Sequence, residues 1–176
     1  TLKKGILIIF NRHKKKLPKV FVMTDDDRLP NAEEVAMKMP RNWGLILRNY
    51  RNPQRYQEAY KVAQICKFRK ITFLVSASWR IAYEVRADGV HMPEYFLKSQ
   101  ILSPIRYLYS KKIITASAHS QGTIRLAKIV NADGCHLGQK DDLIIETKKY
   151  LKKKIIGATC HNSKSLAKIA IHNKAD

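Results

Sequence analysis

Short apolar or β-branched runs alternate with longer helix-like stretches along most of this chain, and no other feature limits its possible folds as strongly. Seven such runs predict buried strands, at residues 20–24, 44–47, 71–75, 89–92, 113–118, 134–137 and 155–160. Strict β-α alternation implies parallel strands with crossover helices, in an open doubly wound sheet or a closed barrel. No Gly-x-Gly-x-x-Gly follows the first strand, which weakens the dinucleotide-binding version.

Two intervening stretches have the clearest helical spacing. One is 122–130, and the other is 54–68, where one side of the helix is expected to carry Tyr56, Ala59, Tyr60, Ala63 and Phe68. Helices are predicted to start near Asn31 and near Asn52, which precedes a proline.

The length of 176 residues is short for a complete eight-unit barrel, which typically needs roughly 200 to 250. We expect one domain over residues 1–176, with residues 1–16 as a basic N-terminal extension. The apolar run at 5–10 is far below the ~20 residues that span a bilayer, so no membrane association is expected. Three scattered cysteines fit neither a disulfide framework nor a zinc site, and they favour a reducing cytoplasm.

The formal charge of +20 would attract polyanions and phosphorylated small molecules alike. Lysines recur in helix-like segments and at their ends without the interleaved aromatic residues that suit base stacking. We therefore interpret the charge as mainly solvated surface and expect phosphorylated small molecules, rather than nucleic acid, as partners. A homo-oligomer remains open.

The sequence contains an internal repeat. Residues 87–94 return as 132–139, with four of eight positions identical, and residues 111–119 return as 153–161. The repeating unit is strand, helix, strand, helix, and the chain stops on a further Ala-Asp where another strand should begin. The expected fold is therefore an α/β, (β/α)8 barrel-like architecture, incomplete or rearranged, with about seven β/α units.

Several motifs at the predicted strand ends resemble one family. They are Gly-Leu-Ile-Leu-Arg at 44–48, Ala-Asp-Gly-Val-His-Met-Pro-Glu at 87–94, Thr-Ala-Ser-Ala-His-Ser at 115–120, His-Leu-Gly-Gln-Lys-Asp-Asp at 136–142 and Ile-Gly-Ala-Thr-Cys-His at 156–161. Together they resemble the thiamine-phosphate synthase and thiazole tautomerase family of TIM barrels. Residues 17–131 resemble the tautomerase-like branch, and residues 132–176 resemble the fourth and fifth units of the synthase again.

The resemblance implies roles for residues at the carboxyl ends of strands, where barrels of this kind bind ligands. Arg48 would bind the pyrimidine diphosphate, Asp141 would hold Mg²⁺, and His119 and His161 would exchange protons. The further substrate-binding candidates are Ser117, Gln139 and Thr159. A surface arginine, a helix-start carboxylate and structural histidines are the competing interpretations.

Four positions depart from the family pattern. The glutamine and lysine that flank the family's arginine correspond to Ile46 and Tyr50, and its Asn-Asp after the third strand corresponds to Ser76 and Ala77. The first half therefore lacks a magnesium carboxylate. His91 and His136 lie inside apolar strands, and we interpret both as core histidines with satisfied hydrogen bonds.

These observations leave three hypotheses about function. The first is a thiamine-phosphate synthase-like transferase that joins hydroxymethylpyrimidine diphosphate to thiazole phosphate and releases pyrophosphate. The second is a thiazole tautomerase-like isomerase that depends on His119 and needs no metal. The third is an inactive module that binds phosphate or nucleic acid.

Overall fold

A computed structural model describes residues 17–99, 112–138, 147 and 155–157. In this part of the chain, seven strands form one sheet, with β1 at Phe21–Met23, β2 at Gly44–Leu47, β3 at Thr72–Ser76, β4 at Gly89–Met92, β5 at Ile113–Ser117, β6 at Gly134–His136 and β7 at Ile155–Gly157. The helices described are α1 at Ala32–Lys38, α2 at Arg55–Arg69, α3 at Trp79–Glu84, α4 at Glu94–Ser99 and α5 at Gln121–Ile129. None of these helices is long and apolar enough to cross a bilayer.

The strands lie side by side in chain order, and every neighbouring pair is parallel. This order is that of a (β/α)8 barrel opened between β1 and β7, which form the two edges of the described sheet. The predicted fold class, an incomplete TIM-barrel-like α/β fold, is confirmed. The predicted strands differ from the observed ones by at most a few residues at either end.

Alternate residues of each strand face opposite sides of the sheet. Leu45, Leu47, Phe73 and Val75 belong to the main apolar core that the strands form with the helices. The residues between them, such as Ile46, are also buried but face the inner side of the sheet. The inner face is therefore the one that carries the polar side chains of the candidate site.

Helix α2 differs from its sequence prediction. Asn52 does not cap it but accepts a hydrogen bond from the Gln54 amide at 2.9 Å in the preceding turn, and the helix begins at Arg55. The predicted apolar side is confirmed for Ala59 and Ala63 but was wrong for the aromatic residues, because Tyr56, Tyr60 and Phe68 are 42%, 51% and 83% exposed. The buried side consists of small and medium residues, namely Ala59, Val62, Ala63 and Cys66.

The repeat seen in the sequence has the same local structure in both copies. Asp88 accepts a hydrogen bond from the backbone amide of Phe73 at 2.8 Å, and Asp133 accepts one from the amide of Ile114 at 2.9 Å. Each aspartate ties the start of its own strand to the strand before it. At Gly89, a Cβ atom would lie 1.9 Å from the Ile113 carbonyl oxygen, so this glycine allows β4 and β5 to approach closely.

Candidate functional site

The strand register brings a row of polar side chains onto the inner face. Ser76 of β3 pairs with His91 of β4, His91 pairs with Thr115 of β5, and Ser117 pairs with His136 of β6. Paired residues of neighbouring strands share a face of the sheet, so all five side chains lie on the same side. Most of them are near the carboxyl ends of their strands, where (β/α) barrels bind ligands.

His91 lies at the centre of this row and is 2% exposed. Its Nδ1 is 2.9 Å from the hydroxyl of Thr115, and its Nε2 is 2.9 Å from the hydroxyl of Ser117. A hydroxyl can both donate and accept, so the two partners satisfy either tautomer of a neutral imidazole. His91 is thus a core histidine with satisfied hydrogen bonds, as the sequence predicted.

The electrostatic environment keeps His91 neutral. Burial lowers the pKa of its imidazole to about 3, and the positive charges of His136, Arg48 and His119 act in the same direction. Each of these three groups therefore lies within electrostatic range of His91. Of the residues singled out in the sequence, Ser117 contacts this buried imidazole, and Arg48 and His119 follow β2 and β5 at the same, carboxyl end of the sheet.

Arg48 follows β2 directly, and its backbone is fixed by a hydrogen bond from its amide to the Thr24 hydroxyl at 2.8 Å. Its Nη1 lies 3.9 Å from the sulfur of Met23, which is a weak acceptor. Arg48 makes no ion pair with a carboxylate of residues 17–99 or 112–138. Its guanidinium therefore remains available to an anion at the carboxyl end of the sheet.

His119 follows β5 and is oriented by α4. Its Nδ1 is 3.0 Å from a carboxylate oxygen of Glu94, whose other oxygen pairs with Lys98 at 3.1 Å. Burial acts to raise the pKa of the Glu94 carboxyl, but Lys98 and His119 together lower it below its usual value. The imidazole side chain is 44% exposed, so His119 can reach a ligand. The sequence motif at 87–94 indicates no role for Glu94, whereas the structure shows that it orients His119.

A second group of residues meets at the ends of β2 and β3. The Tyr50 hydroxyl lies 2.7 Å from the Ser76 hydroxyl, and the Arg55 guanidinium carbon lies 5.1 Å from the centre of the Tyr50 ring. Arg55 also donates to the Ser76 carbonyl. The rings of Tyr50 and Tyr95 meet edge to face at 6.5 Å. Sequence reasoning missed Arg55 and Tyr95, because both lie in helices and their spacing carries no signal.

Three consecutive aspartates follow β1, but their carboxylates are already engaged. Asp25 accepts a hydrogen bond from the Asp27 amide at 3.2 Å, Asp26 accepts one from the Tyr50 amide at 3.0 Å, and Asp27 pairs with Arg51. An open depression of about 360 Å³ lies beside these aspartates. It is lined by Asp26, Asp27, Pro30, Asn49, Arg51 and Asn52. These contacts tie the loop after β1 to the loop after β2.

The described residues do not fit a magnesium ion. No group of three or more histidine, cysteine, aspartate or glutamate side chains among them could hold a metal. The ends of β2 to β5 offer guanidinium, hydroxyl and imidazole groups, and the carboxylate of Glu94 there already pairs with His119 and Lys98. Mg²⁺ prefers carboxylate oxygens and water. The predicted ligand Asp141 lies outside the described residues, as do Gln139, Thr159 and His161.

One family model matches two overlapping parts of the chain, which together make up most of it. A family model described as thiamine monophosphate synthase matches residues 20–128 and, a second time, residues 121–176. The chain belongs to the thiamine monophosphate synthase family. The same model matches twice, and the two matches overlap at residues 121–128, which agrees with the internal repeat.

Curated members of the thiamine monophosphate synthase family are similar over parts of the chain. A thiamine-phosphate synthase of Pelagibacter ubique is 67% identical over 51 residues, which are 29% of this chain and 25% of that protein. A putative thiamine-phosphate synthase 2 of Aquifex aeolicus is 27% identical over 67% of this chain and 64% of its own length. A thiamine-phosphate synthase of Saccharophagus degradans is 39% identical over 42% of this chain and 32% of its own. The chain thus spans between a quarter and just under two-thirds of these relatives.

A solved structure has a fold similar to that of this chain. A thiamine phosphate pyrophosphorylase from Pyrococcus furiosus superposes with a TM-score of 0.69 over 90% of this chain and 82% of that one. The sequence identity is 18%, so this similarity concerns the fold alone.

Proposed function

We propose that this chain is a thiamine-phosphate synthase-like transferase that joins hydroxymethylpyrimidine diphosphate to thiazole phosphate and releases pyrophosphate. The observation that carries the proposal is the position of Arg48, Ser117 and His119 at the carboxyl ends of β2 and β5, where Ser117 is hydrogen-bonded to the buried His91. The family match and the names of the curated relatives support the same activity.

The reaction makes clear what the site must supply. The carbon–oxygen bond between the pyrimidine methylene and the diphosphate breaks, its electron pair leaves with pyrophosphate, and the methylene carbon bonds to the thiazole. Negative charge therefore grows on the leaving group. A fixed guanidinium and a fixed hydroxyl stabilise such charge without having to reorganise, and Arg48 and Ser117 would take these roles.

His91 would act as a positioning residue for Ser117. Because burial keeps its imidazole neutral, it holds the Ser117 hydroxyl at 2.9 Å without adding a charge of its own. His119, held by Glu94 at the exposed edge of the site, would donate a proton to the leaving pyrophosphate and recover it from water.

The remaining candidates stay part of the proposal. Gln139 and Thr159 would contact substrate, and His161 would act like His119 in the repeated turn. Asp141 would hold Mg²⁺, which supplies charge to offset the diphosphate when it is bound. We derive no step through the ion, because no described residue group fits it. Phosphorylated substrates and the two buried free thiols, Cys66 and Cys135, fit the cytoplasm.

The test is pyrophosphate release from the two substrates by the purified chain, with Arg48→Ala compared with Arg80→Ala. Arg80 is exposed and pairs with Glu84 on α3, so its removal should leave the rate unchanged. Loss of Arg48 should lower kcat by about 100-fold, as for a group that binds developing charge. If pyrophosphate release also ceases in Asp141→Asn and in the presence of a chelator, the result would support a magnesium site at Asp141.

Two results would overturn the proposal. If the intact chain releases no pyrophosphate but isomerises a thiazole carboxylate phosphate, with dependence on His119 and indifference to chelator, it is a tautomerase. If it turns over neither substrate, it is an inactive binding module, whether or not random DNA also binds in a salt-sensitive manner through the charge of the chain.

A further inference from the structure

The group formed by Tyr50, Arg55, Ser76 and Tyr95, hereafter the tyrosine–arginine cluster, lies beside Arg48 and has no part in the proposed chemistry so far. Arg55 comes from the first turn of α2 and packs over the Tyr50 ring, while Tyr95 reaches in from α4. Tyr95 is 62% exposed, so the cluster borders solvent on that side.

The guanidinium of Arg55 is only partly satisfied. One terminal nitrogen donates to the Ser76 carbonyl, but its Nε is buried and has no hydrogen-bond partner in the described part of the chain. Burial lowers the pKa of this guanidinium, although Tyr50, Tyr95 and more distant carboxylates partly oppose the shift. A buried donor without a partner is rare in proteins and needs an explanation.

The carboxylate nearest in sequence does not neutralise Arg55. Glu58, one turn further along α2, accepts hydrogen bonds from the side-chain amides of Asn49 at 2.7 Å and Asn52 at 2.9 Å. Within residues 17–99 and 112–138, Arg55 forms no ion pair with any acidic side chain. Arg48 and Arg55 are therefore two guanidiniums on one edge of the sheet, neither of them paired with a described carboxylate.

Tyr50 connects the cluster to Arg48, because it follows Arg48 by two residues on the chain and its ring lies under the Arg55 guanidinium and against the ring of Tyr95. Burial and Tyr50 raise the pKa of the Tyr95 hydroxyl, whereas Arg55 and Arg48 act to lower it. The Tyr95 hydroxyl is thus within electrostatic range of both arginines. An anion placed at this point would meet two planar donor groups and the hydroxyls of two tyrosines.

We propose that Arg48 and Arg55, with the hydroxyls of Tyr50 and Tyr95, form a binding site for a phosphate or diphosphate group that does not depend on a divalent cation. The inference rests on the proposed function only in taking the substrate to be phosphorylated. Two guanidiniums provide both the charge and the forked donors that phosphate oxygens need. The cluster offers no carboxylate to a cation, and a cation there would be repelled by both arginines.

The first test is calorimetric binding of inorganic pyrophosphate to the full chain in EDTA. One saturable site is expected, and adding Mg²⁺ should not be required. Arg55→Lys keeps the charge and a donor for the Ser76 carbonyl but loses the planar fork, so affinity should fall roughly tenfold. Arg80→Lys, the matched change on the exposed face of α3, should leave affinity unchanged.

The second test needs no variant. In the isotope-labelled chain, the Nε–H resonance of each arginine is assigned through bonds to its backbone and followed during the pyrophosphate titration in EDTA. The Arg55 resonance should shift saturably, and that of Arg80 should not. Pyrophosphate that binds only with Mg²⁺, that saturates without moving the Arg55 resonance, or that does not bind would overturn the inference.

The two proposals fail in different ways. Cation-independent binding through Arg55 without any turnover would leave this inference standing and reject the transferase. Pyrophosphate release that proceeds normally in Arg55→Lys, with binding that requires magnesium, would reject this inference and leave the transferase in place.

Discussion

His91 shows how a single residue can join the core of this sheet to its functional edge. The side chain is buried, and both ring nitrogens are bonded to hydroxyls of β5. One of these hydroxyls, on Ser117, is also a candidate ligand for substrate. The neutral state of His91 therefore matters for stability as well as for the position of Ser117.

The pH dependence of stability should report on His91. A histidine in the unfolded chain has a pKa near 6.5, and burial lowers the pKa of His91 to about 3. Between these values the unfolded state binds the extra proton, so the free energy of unfolding falls as the pH is lowered from about 6.5, by at most about 1.4 kcal/mol per pH unit. Above that range His91 contributes no pH dependence.

His91→Gln removes this titration while keeping a polar side chain. In urea unfolding at about pH 7 and about pH 5, the unmodified chain should lose more stability on acidification than His91→Gln does. Equal losses in the two proteins would show that His91 has the same pKa in the folded and unfolded chain, which contradicts its burial.

At the scale of residues, the sequence located part of the candidate site. Arg48, Ser117 and His119 follow apolar runs directly, and the carboxyl ends of parallel strands must meet at one edge, so their proximity could be predicted. Arg55 and Tyr95 could not, because their approach depends on how α2 and α4 pack and not on any local spacing. The roles of Gln139, Asp141, Thr159 and His161 stay predictions.

At the scale of elements, strands were predicted better than helix faces. A buried parallel strand is apolar on both sides, so its composition alone reveals it. Helix α2 instead packs on the sheet and on α1 through small residues such as Ala59 and Ala63, and its large aromatic side chains point outward. A pattern that ranks residues by size and apolar character therefore added the exposed aromatic residues to the buried side and omitted Val62 and Cys66.

The close approach of β4 and β5 makes a prediction at Gly89. In Gly89→Ala the new methyl group would lie 1.9 Å from the backbone oxygen of Ile113, and the backbone cannot move aside as a flexible side chain can. We expect a loss of at least about 2 kcal/mol in the free energy of unfolding, measured by urea denaturation. Gly122→Ala in α5, where the nearest atom is 3.8 Å away, should be neutral or stabilising by up to about 1 kcal/mol. Similar effects at the two positions would contradict the strand spacing.

The paired aspartates of the repeat make a second prediction for the elements. Asp88→Ala and Asp133→Ala each leave a backbone amide of the neighbouring strand, that of Phe73 or Ile114, without its acceptor. Each change should cost about 1–3 kcal/mol in thermal or urea unfolding. Glu84→Ala, which breaks a surface pair with Arg80, is the control and should cost little. A large loss in one copy and none in the other would show that the two copies are not structurally equivalent.

At the scale of the whole molecule, the order of the strands could be predicted and the composition of the surface could not. Alternating strands and helices leave an open doubly wound sheet or a barrel, and the family resemblance indicated the barrel, in which the sheet follows the chain as it does here from β1 to β7. The sequence also indicated a surface without aromatic residues among the lysines. The structure places Tyr56, Tyr60 and Phe68 on the outside of α2, near Lys61 and Lys67, because the inner side of that helix has room only for small residues.

The exposed aromatic residues of α2 make polyanion binding worth measuring, because the chain also has 34 basic residues and only 14 acidic ones. We expect random single-stranded DNA to bind at low salt through charge alone, with an affinity that falls steeply as salt rises. Base stacking on an aromatic side chain contributes about 1–3 kcal/mol per base where it occurs. If charge alone is responsible, Tyr60→Ser should change the affinity, measured by fluorescence anisotropy, by less than about twofold. If Tyr60→Ser instead lowers the affinity about tenfold or more, and does so at high salt as well, bases stack on the exposed face of α2. That face would then be a dedicated nucleic-acid-binding surface.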